Sequence, residues 1–187
     1  MSKATPEPPT RQEFLTRVRA FRRGEQRDAM YTVATFLVRH HWGRPREMAD
    51  ALGVLLLTWN QAFYRYGSFD FAQLERCLRV HLPTLQRLRR RAVTRLTPTD
   101  RRTVARLFRA FLRALRIRSG PRRGHTSPVA VAKALHLLAP AFFPLWDDAI
   151  ARAYGCRYGG YDAAERYLAF YETMRALAEH VRPWVRR

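Results

Sequence analysis

The sequence predicts an all-α fold, and three observations support that prediction. Apolar residues recur at spacings of 3 and 4 along most of the chain, which is the period of an amphipathic helix. No segment alternates apolar and polar side chains with β-branched enrichment, so a sheet is not expected. With 47% hydrophobic and 12% aromatic residues, the 187-residue chain can bury a core as one domain.

The N-terminal half contains five predicted helices. Residues 1–9 are predicted to be a disordered tail, so the single all-helical domain is expected over 10–187. Thr10 and Glu13 form a capping box for the first helix, which is expected over 10–23. A buried apolar stripe marks a central helix over 45–66. The other predicted helices are 26–41, 68–80 with Ser68 as cap, and 83–96 opened by Pro83.

The C-terminal half carries clearer boundary signals. Thr97 and Asp100 flank Pro98, a combination typical of a helix start, and this helix is expected over 98–117. Residues 119–126 include two glycines and a proline but no apolar side chain, which predicts a turn between helices. Ser127 caps a buried helix over 128–139, and Asp147 caps a short helix that ends near 154. A last helix is expected over 161–181.

The formal net charge of +20 indicates an anionic partner, because it exceeds what solubility requires. Nucleic acid is the partner that the charge favours, with membrane surfaces and acidic proteins as the alternatives, and no obligate protein partner is evident. The chain lacks a bilayer-spanning apolar run and a signal-peptide core, so we expect no membrane partner and a cytoplasmic location on a bacterial or archaeal nucleoid. Cys77 and Cys156 are too few and too far apart for a metal site, and no cofactor is expected.

Five arginines on the predicted helix 98–117 recur every 3 to 4 residues, which places them on one face. We call this set the arginine stripe, and it consists of Arg102, Arg106, Arg109, Arg113 and Arg116. Guanidinium groups bind phosphates bidentately, so the stripe predicts contacts to a nucleic-acid backbone. The alternative is a solvated helix face, which the scarcity of neighbouring acidic residues disfavours.

Lys133 and Asp147 are the candidate catalytic residues. Lys133 and Lys3 are the only lysines among 35 basic residues, and Lys133 lies on the most apolar helix. Desolvation there would lower its pKa and yield a neutral, nucleophilic amine, which an arginine cannot provide. Asp147 at a helix N-terminus stays ionised and could stabilise an oxocarbenium ion. The alternatives are a lysine whose stem packs while its ammonium reaches solvent, and a plain N-cap.

Between Arg118 and Gly155 the chain runs through a glycine-bearing hairpin, a helix with a lysine in its second turn, a proline-containing loop and then Asp147-x-x-Ile150-x-Arg152. With the helix before it, this order resembles the helix-hairpin-helix superfamily of DNA glycosylases. The resemblance implies a two-lobed all-α fold, with the helix-hairpin-helix segment at 98–139, that excises a damaged base. It implies that Lys133 attacks the sugar C1′ to form a Schiff base with abasic-site lyase activity. Asp147 would assist cleavage of the N-glycosidic bond.

The resemblance also suggests which other residues meet the DNA. Beside the arginine stripe, the expected nucleic-acid contacts are Arg122, Arg123, Gly124, Ser127 and Arg152. A flipped base needs stacking partners, and the expected base pocket consists of Trp59, Phe63, His136, Phe143 and Trp146.

Two other functions stay open at this point. A non-catalytic nucleic-acid-binding protein would keep the basic surface and would need neither Lys133 nor Asp147. Arg175 and His180 match an Arg-x4-His pattern that resembles small helical ribonucleases, although one such pair is expected by chance in so arginine-rich a chain.

Overall fold

A computed structural model describes residues 7–24, 28–157 and 162–185. The protein is 72% helical, and over these ranges it forms no strand beyond one isolated bridge between Phe69 and Ile117. The all-α prediction is therefore confirmed. The helices are α1 (Arg11–Gly24), α2 (Ala29–His40), α3 (Pro45–Trp59), α4 (Gln61–Tyr64), α5 (Phe71–Arg89), α6 (Pro98–Ala114), α7 (Pro128–Leu138), α8 (Asp148–Ala153) and α9 (Ala163–Val185).

Three helix starts predicted from capping residues are confirmed. Thr10 and Glu13 form the capping box of α1, with the Thr10 amide 2.8 Å from a Glu13 carboxylate oxygen. Thr97 and Asp100 form the same motif at α6. Ser127 Oγ accepts from the Ala130 amide at the start of α7 at 3.1 Å. Each motif satisfies backbone N–H groups that have no partner inside the helix.

Three predicted boundaries are wrong. The central helix stops at Trp59 instead of residue 66, and a separate turn of helix, α4, follows. The two helices expected over 68–80 and 83–96 are one helix, α5, which is capped by Asp70 and contains Pro83. Leu74 and Leu88, on either side of the proline, are fully buried. Packing of both halves against one core offsets the roughly 3 kcal/mol that an internal proline costs.

The ends of some predicted elements fall outside the described residues. These are residues 1–6 of the predicted tail, residue 26 of the second helix and residue 161 of the last helix. Within the described part, Pro9 is not isolated, because its carbonyl oxygen lies 2.9 Å from His180 Nε2 on α9.

Helix α7 occupies the centre of the molecule and packs against α2, α3, α6 and α9. Its Val131, Ala134 and Leu135 are completely buried. On the α9 side the core is aromatic, and Trp146 there contacts Phe108, Tyr167 and Phe170. This arrangement leaves the polar residues of α7 at its border with α3 and α2.

The connection between α6 and α7 is a hairpin fastened to the end of α4. Ile117 and His125 pair across it, with the Ile117 amide 3.0 Å from the His125 carbonyl oxygen. Gly120 has φ +74°, and a Cβ atom there would lie 1.8 Å from the Tyr66 carbonyl oxygen. Only glycine fits this position. The Arg118 amide donates to the Ser68 carbonyl at 2.9 Å, which joins the hairpin to the loop before α5.

Asp100 links α5 to α6 from a position that is only 1% exposed. Its carboxylate accepts from Arg87 at 3.1 Å and from Arg91 at 2.8 Å, besides capping Thr97. Burial by itself would raise the pKa of this carboxyl, but the hydrogen bonds from Thr97, Arg87 and Arg91 outweigh burial and lower the pKa to about 2. The Asp100 carboxyl is therefore ionised in the folded protein at neutral pH.

We predict that Asp100→Asn lowers the free energy of unfolding by about 2 kcal/mol at neutral pH, as expected for a pKa shift of this size. Because the folded pKa is depressed, the contribution is present above pH 4 and is lost as the pH falls towards 2. Urea unfolding of both proteins from pH 7 to pH 2 measures the difference. The control is Asp50→Asn at an exposed position of α3, and an equal loss there would contradict the prediction.

Candidate active-site cleft and nucleic-acid surface

A cleft of about 450 Å³ opens where the end of α3 and the start of α4 meet α7 and α8. Its size falls within the range of about 300–1,000 Å³ that is common for small-molecule sites. Its lining residues include Trp59, Asn60, Phe63, Ser127, Lys133, Asp147, Asp148 and Arg152. The two predicted catalytic residues therefore share one cavity, although they are 14 positions apart in the chain.

Lys133 reaches this cleft from the second turn of α7. Its Nζ donates to the Trp59 carbonyl oxygen at 3.1 Å and to Asn60 Oδ1 at 2.7 Å. The same nitrogen lies 5.3 Å from the centroid of the Trp59 ring, which is cation–π distance. The amine is thus held at the wall of the cleft by the last residues of α3.

The electrostatic environment of Lys133 combines two opposed effects. Burial lowers the pKa of its amine from the usual value, while the negative charges of Asp147 and Asp148 raise it. Burial is the larger effect, so the neutral amine forms at lower pH than in a solvated lysine. A nucleophilic lysine needs this neutral form.

Asp147 is the N-cap of α8, as the sequence predicts. Its Oδ1 accepts from the Ile150 amide at 2.8 Å, and the residue is half-buried at the cleft. The cap fixes the carboxylate at the positive end of the helix, opposite Lys133. An asparagine could make the same cap, so capping of α8 does not by itself require the negative charge of Asp147.

Two of the five predicted base-pocket rings line the cleft, namely Trp59 and Phe63. The Trp59 ring stacks on Tyr31 of α2, with centroids 5.5 Å apart and planes 10° apart. Phe63 is half-buried and meets Tyr64 edge-on at 4.9 Å. Phe63 is therefore the lining ring with the greater freedom to stack on a ligand.

The other three predicted base-pocket rings do not line the cleft. Phe143 and Trp146 have no exposed surface and belong to the aromatic core. His136 is not among the residues that line the cleft. Its Nδ1 lies 2.8 Å from the Phe143 carbonyl oxygen, and its Nε2 lies 3.2 Å from the Tyr31 hydroxyl. The carbonyl can only accept, so Nδ1 carries the proton and Nε2 accepts from Tyr31.

Four members of the arginine stripe lie on the side of α6 opposite Val104, Leu107 and Phe111, which face the core, whereas Arg116 lies beyond the end of the helix at Ala114. None of its five members lines the cleft, so it is a separate basic surface. Arg109 donates to Asp162 at 2.6 Å and to Glu165 at 2.8 Å. These two carboxylates neutralise much of its positive charge. Arg106 and Arg113 are exposed.

The hairpin places basic residues beside the cleft. Arg122 donates to the Ala62 carbonyl oxygen at 2.7 Å, at the cleft margin, while Arg123 is exposed. Gly124 has φ +90°, and a Cβ atom there would meet nothing within 4 Å. The Gly124 amide is used within the hairpin, where it donates to the Ile117 carbonyl oxygen at 2.8 Å. Ser127 Oγ is used as the cap of α7, and the exposed Arg152 lines the cleft itself.

The Arg-x4-His pair of the ribonuclease alternative lies elsewhere, on α9. Arg175 forms an ion pair with Glu172 at 3.2 Å, and His180 contacts Pro9 and the edge of Trp184. A cavity of about 710 Å³ near this region is lined by residues of α1 and α9 such as Phe14 and Leu177, and it contains neither member of the pair.

Sequence reasoning missed Asn60 and Tyr31. The predicted central helix over 45–66 includes Asn60, and the predicted site residues do not include Tyr31. The low helix propensity of asparagine was a weak signal for a break at this position. Nothing in the sequence indicates that Tyr31 stacks on Trp59, because that contact joins two different helices.

Over the described residues, no group of histidine, cysteine and carboxylate side chains could hold a metal ion. No helix in the same ranges is long and apolar enough to cross a membrane. No protein-family model, curated protein or solved structure matches the chain.

We predict that the exposed members of the arginine stripe contribute more to nucleic-acid binding than Arg109. The double variant Arg106→Gln/Arg113→Gln should reduce the slope of log affinity against log salt on duplex DNA by about 1.8, which is two contacts at about 0.9 each. Fluorescence anisotropy at several salt concentrations measures the slope. The matched control Arg109→Gln should change it little because Asp162 and Glu165 already bind this guanidinium. Equal slopes in all proteins would contradict phosphate binding by the stripe.

Proposed function

We propose that this protein is a DNA glycosylase of the helix-hairpin-helix type, with abasic-site lyase activity through Lys133. The observation that carries the proposal is that the Lys133 amine and the Asp147 carboxylate line one cleft. The resemblance in sequence order covers these same two residues. A two-lobed arrangement around the cleft, with α6, the hairpin and α7 as the DNA-binding unit, completes the proposal.

In the proposed reaction a damaged nucleotide is flipped out of the duplex and its base enters the cleft. Phe63 supplies a ring for stacking, and Arg123 and Arg152 bind the flanking phosphates. The Asp147 carboxylate stabilises the positive charge that develops on the sugar as the glycosidic bond breaks. The neutral Lys133 amine attacks C1′ as the bond from C1′ to the base breaks, and the departing base keeps the bonding electrons and takes up a proton. The nitrogen then loses a proton, the C1′–O4′ bond opens with a proton going to O4′, and the resulting Schiff base allows the strand to break by β-elimination of the 3′ phosphate.

A non-catalytic nucleic-acid-binding protein is the second candidate, and one observation favours it. Lys133 donates two hydrogen bonds to the end of α3, so its ammonium also serves to join α7 to α3. Under this alternative the lysine is a packing residue and the basic surfaces alone carry the function. The two candidates differ in whether a covalent adduct forms.

We predict that borohydride traps the protein on duplex DNA that contains an abasic site or an oxidised base. The adduct should be absent from Lys133→Arg, because a guanidinium cannot form a Schiff base. Denaturing gel electrophoresis detects the adduct, and binding by anisotropy should be unchanged in the variant. An adduct that persists in Lys133→Arg would assign the nucleophile to another amine, and the absence of an adduct from the wild-type protein would favour the non-catalytic candidate.

We predict that Asp147→Asn slows base release by about 100-fold or more with little change in DNA affinity. Asparagine retains the cap of α8 but removes the negative charge, so thermal stability should be nearly unchanged. Single-turnover kinetics measure the rate. The matched control is Asp70→Asn at the N-cap of α5, which does not line the cleft. If both variants release base at the wild-type rate, Asp147 is a cap only.

A further inference from the structure

The break between α3 and α4 creates the binding site for the Lys133 amine. In a continuous helix, the Trp59 carbonyl oxygen would accept from the amide four residues later, that of Phe63. Here the Phe63 amide donates to the Asn60 carbonyl oxygen at 2.9 Å instead. The Trp59 carbonyl is thereby released from the helix, and it accepts from Lys133 Nζ at 3.1 Å.

Asn60 itself departs from the usual behaviour of its residue type. It is the N-cap of α4, where an asparagine side chain ordinarily accepts from a backbone amide of the first turn. The Asn60 side chain makes no such cap hydrogen bond. Its Oδ1 accepts from Lys133 at 2.7 Å, which is the shorter of the two hydrogen bonds made by the amine.

The orientation of the Asn60 amide is determined by this contact. A lysine ammonium only donates, so the oxygen must face Lys133 and the Nδ2 group must point away from it. Asn60 is 8% exposed, and its Nδ2 is buried without a hydrogen-bond partner among the described residues. An unpaired buried donor destabilises the folded protein, and an apolar residue at this position would avoid that cost. The side chain is therefore better explained by its contact with the amine than by stability.

We propose that Asn60 is a positioning residue that, together with the Trp59 carbonyl, holds the amine of Lys133 at the wall of the cleft and controls its protonation. The catalytic part of this inference rests on the proposed function, whereas the contact itself does not. The other charges that act on the amine are those of Asp147 and Asp148 from α8, and Arg152 of α8 lines the same cleft. Tyr31 of α2 stacks on the Trp59 ring, and His136, one turn further on α7, contacts Tyr31.

The inference can be tested without DNA, because Lys133 and Lys3 are the only lysines in the chain. Protein labelled with ¹³C-lysine gives two side-chain signals, and Lys133→Arg identifies that of Lys133. The midpoint of its pH titration is then measured in wild type, Asn60→Asp and Asn60→Leu. Asn60→Asp keeps the shape and adds a negative charge beside the amine, so the Lys133 pKa should rise by about one unit or more. Asn60→Leu removes the acceptor and should lower it by about one unit.

The matched control is Gln61→Glu, which adds the same charge at the next, exposed position. Its effect on the Lys133 titration should be less than half that of Asn60→Asp, since exposed charges are screened by solvent. Thermal melting shows which variants are folded, and the near-isosteric Asn60→Asp decides the question if Asn60→Leu does not fold. An unchanged Lys133 titration in folded Asn60→Asp would overturn the inference.

A borohydride-trapping profile against pH connects the inference to the reaction. If the wild-type protein is trapped, the pH profile of trapping for Asn60→Asp should move to higher pH in parallel with the Lys133 titration. A higher pH is then needed to deprotonate the amine. If the wild-type protein is not trapped while the titration moves as expected, the proposed function fails and the role of Asn60 stands. A trapping profile that does not follow the titration would overturn the role of Asn60 in catalysis.

Discussion

Helix α7 is apolar on almost every side and is enclosed by α2, α3, α6 and α9. A polar side chain on such a helix must find a partner within the protein, because leaving it unpaired costs about 1–3 kcal/mol. Lys133 forms hydrogen bonds with the end of α3, and His136 forms hydrogen bonds with Tyr31 and the Phe143 carbonyl. Tyr31 in turn stacks on Trp59. The burial of α7 thus determines where α2 and α3 must present their polar atoms and their rings.

The cleft follows from the same constraint. Helix α3 ends at Trp59, and the acceptors of Lys133 are the Trp59 carbonyl and the Asn60 side chain. The chain turns at Asn60, and the start of α4 forms one wall of the cleft. The start of α8 supplies the opposite wall, with Asp147 as its cap. An amine, a carboxylate and an aromatic ring therefore line one cleft. The amine and the carboxylate are each held by hydrogen bonds that also stabilise the fold.

The excess of positive charge is distributed unequally. Several of the 15 acidic residues bind arginines internally, as Asp100 does with Arg91 and as Asp162 does with Arg109. The arginines that remain exposed, such as Arg113 and Arg123, account for the surface field. An anionic partner would meet two basic regions, the stripe on α6 and the hairpin beside the cleft. The two regions are separate, because no member of the arginine stripe lines the cleft.

The sequence by itself determined the all-α class, the capped helix starts at Thr10, Thr97 and Ser127, and the pairing of Lys133 with Asp147 as candidates. These features depend on short-range signals, namely caps, periodicity and rare residue types, which are readable within a few positions. Tertiary structure decided the rest. It continued α5 through Pro83, ended α3 at Trp59, buried Trp146 and Phe143 in the core, and brought Asn60 to the amine. Each of these outcomes depends on contacts between residues far apart in the chain, where packing outweighs local propensity.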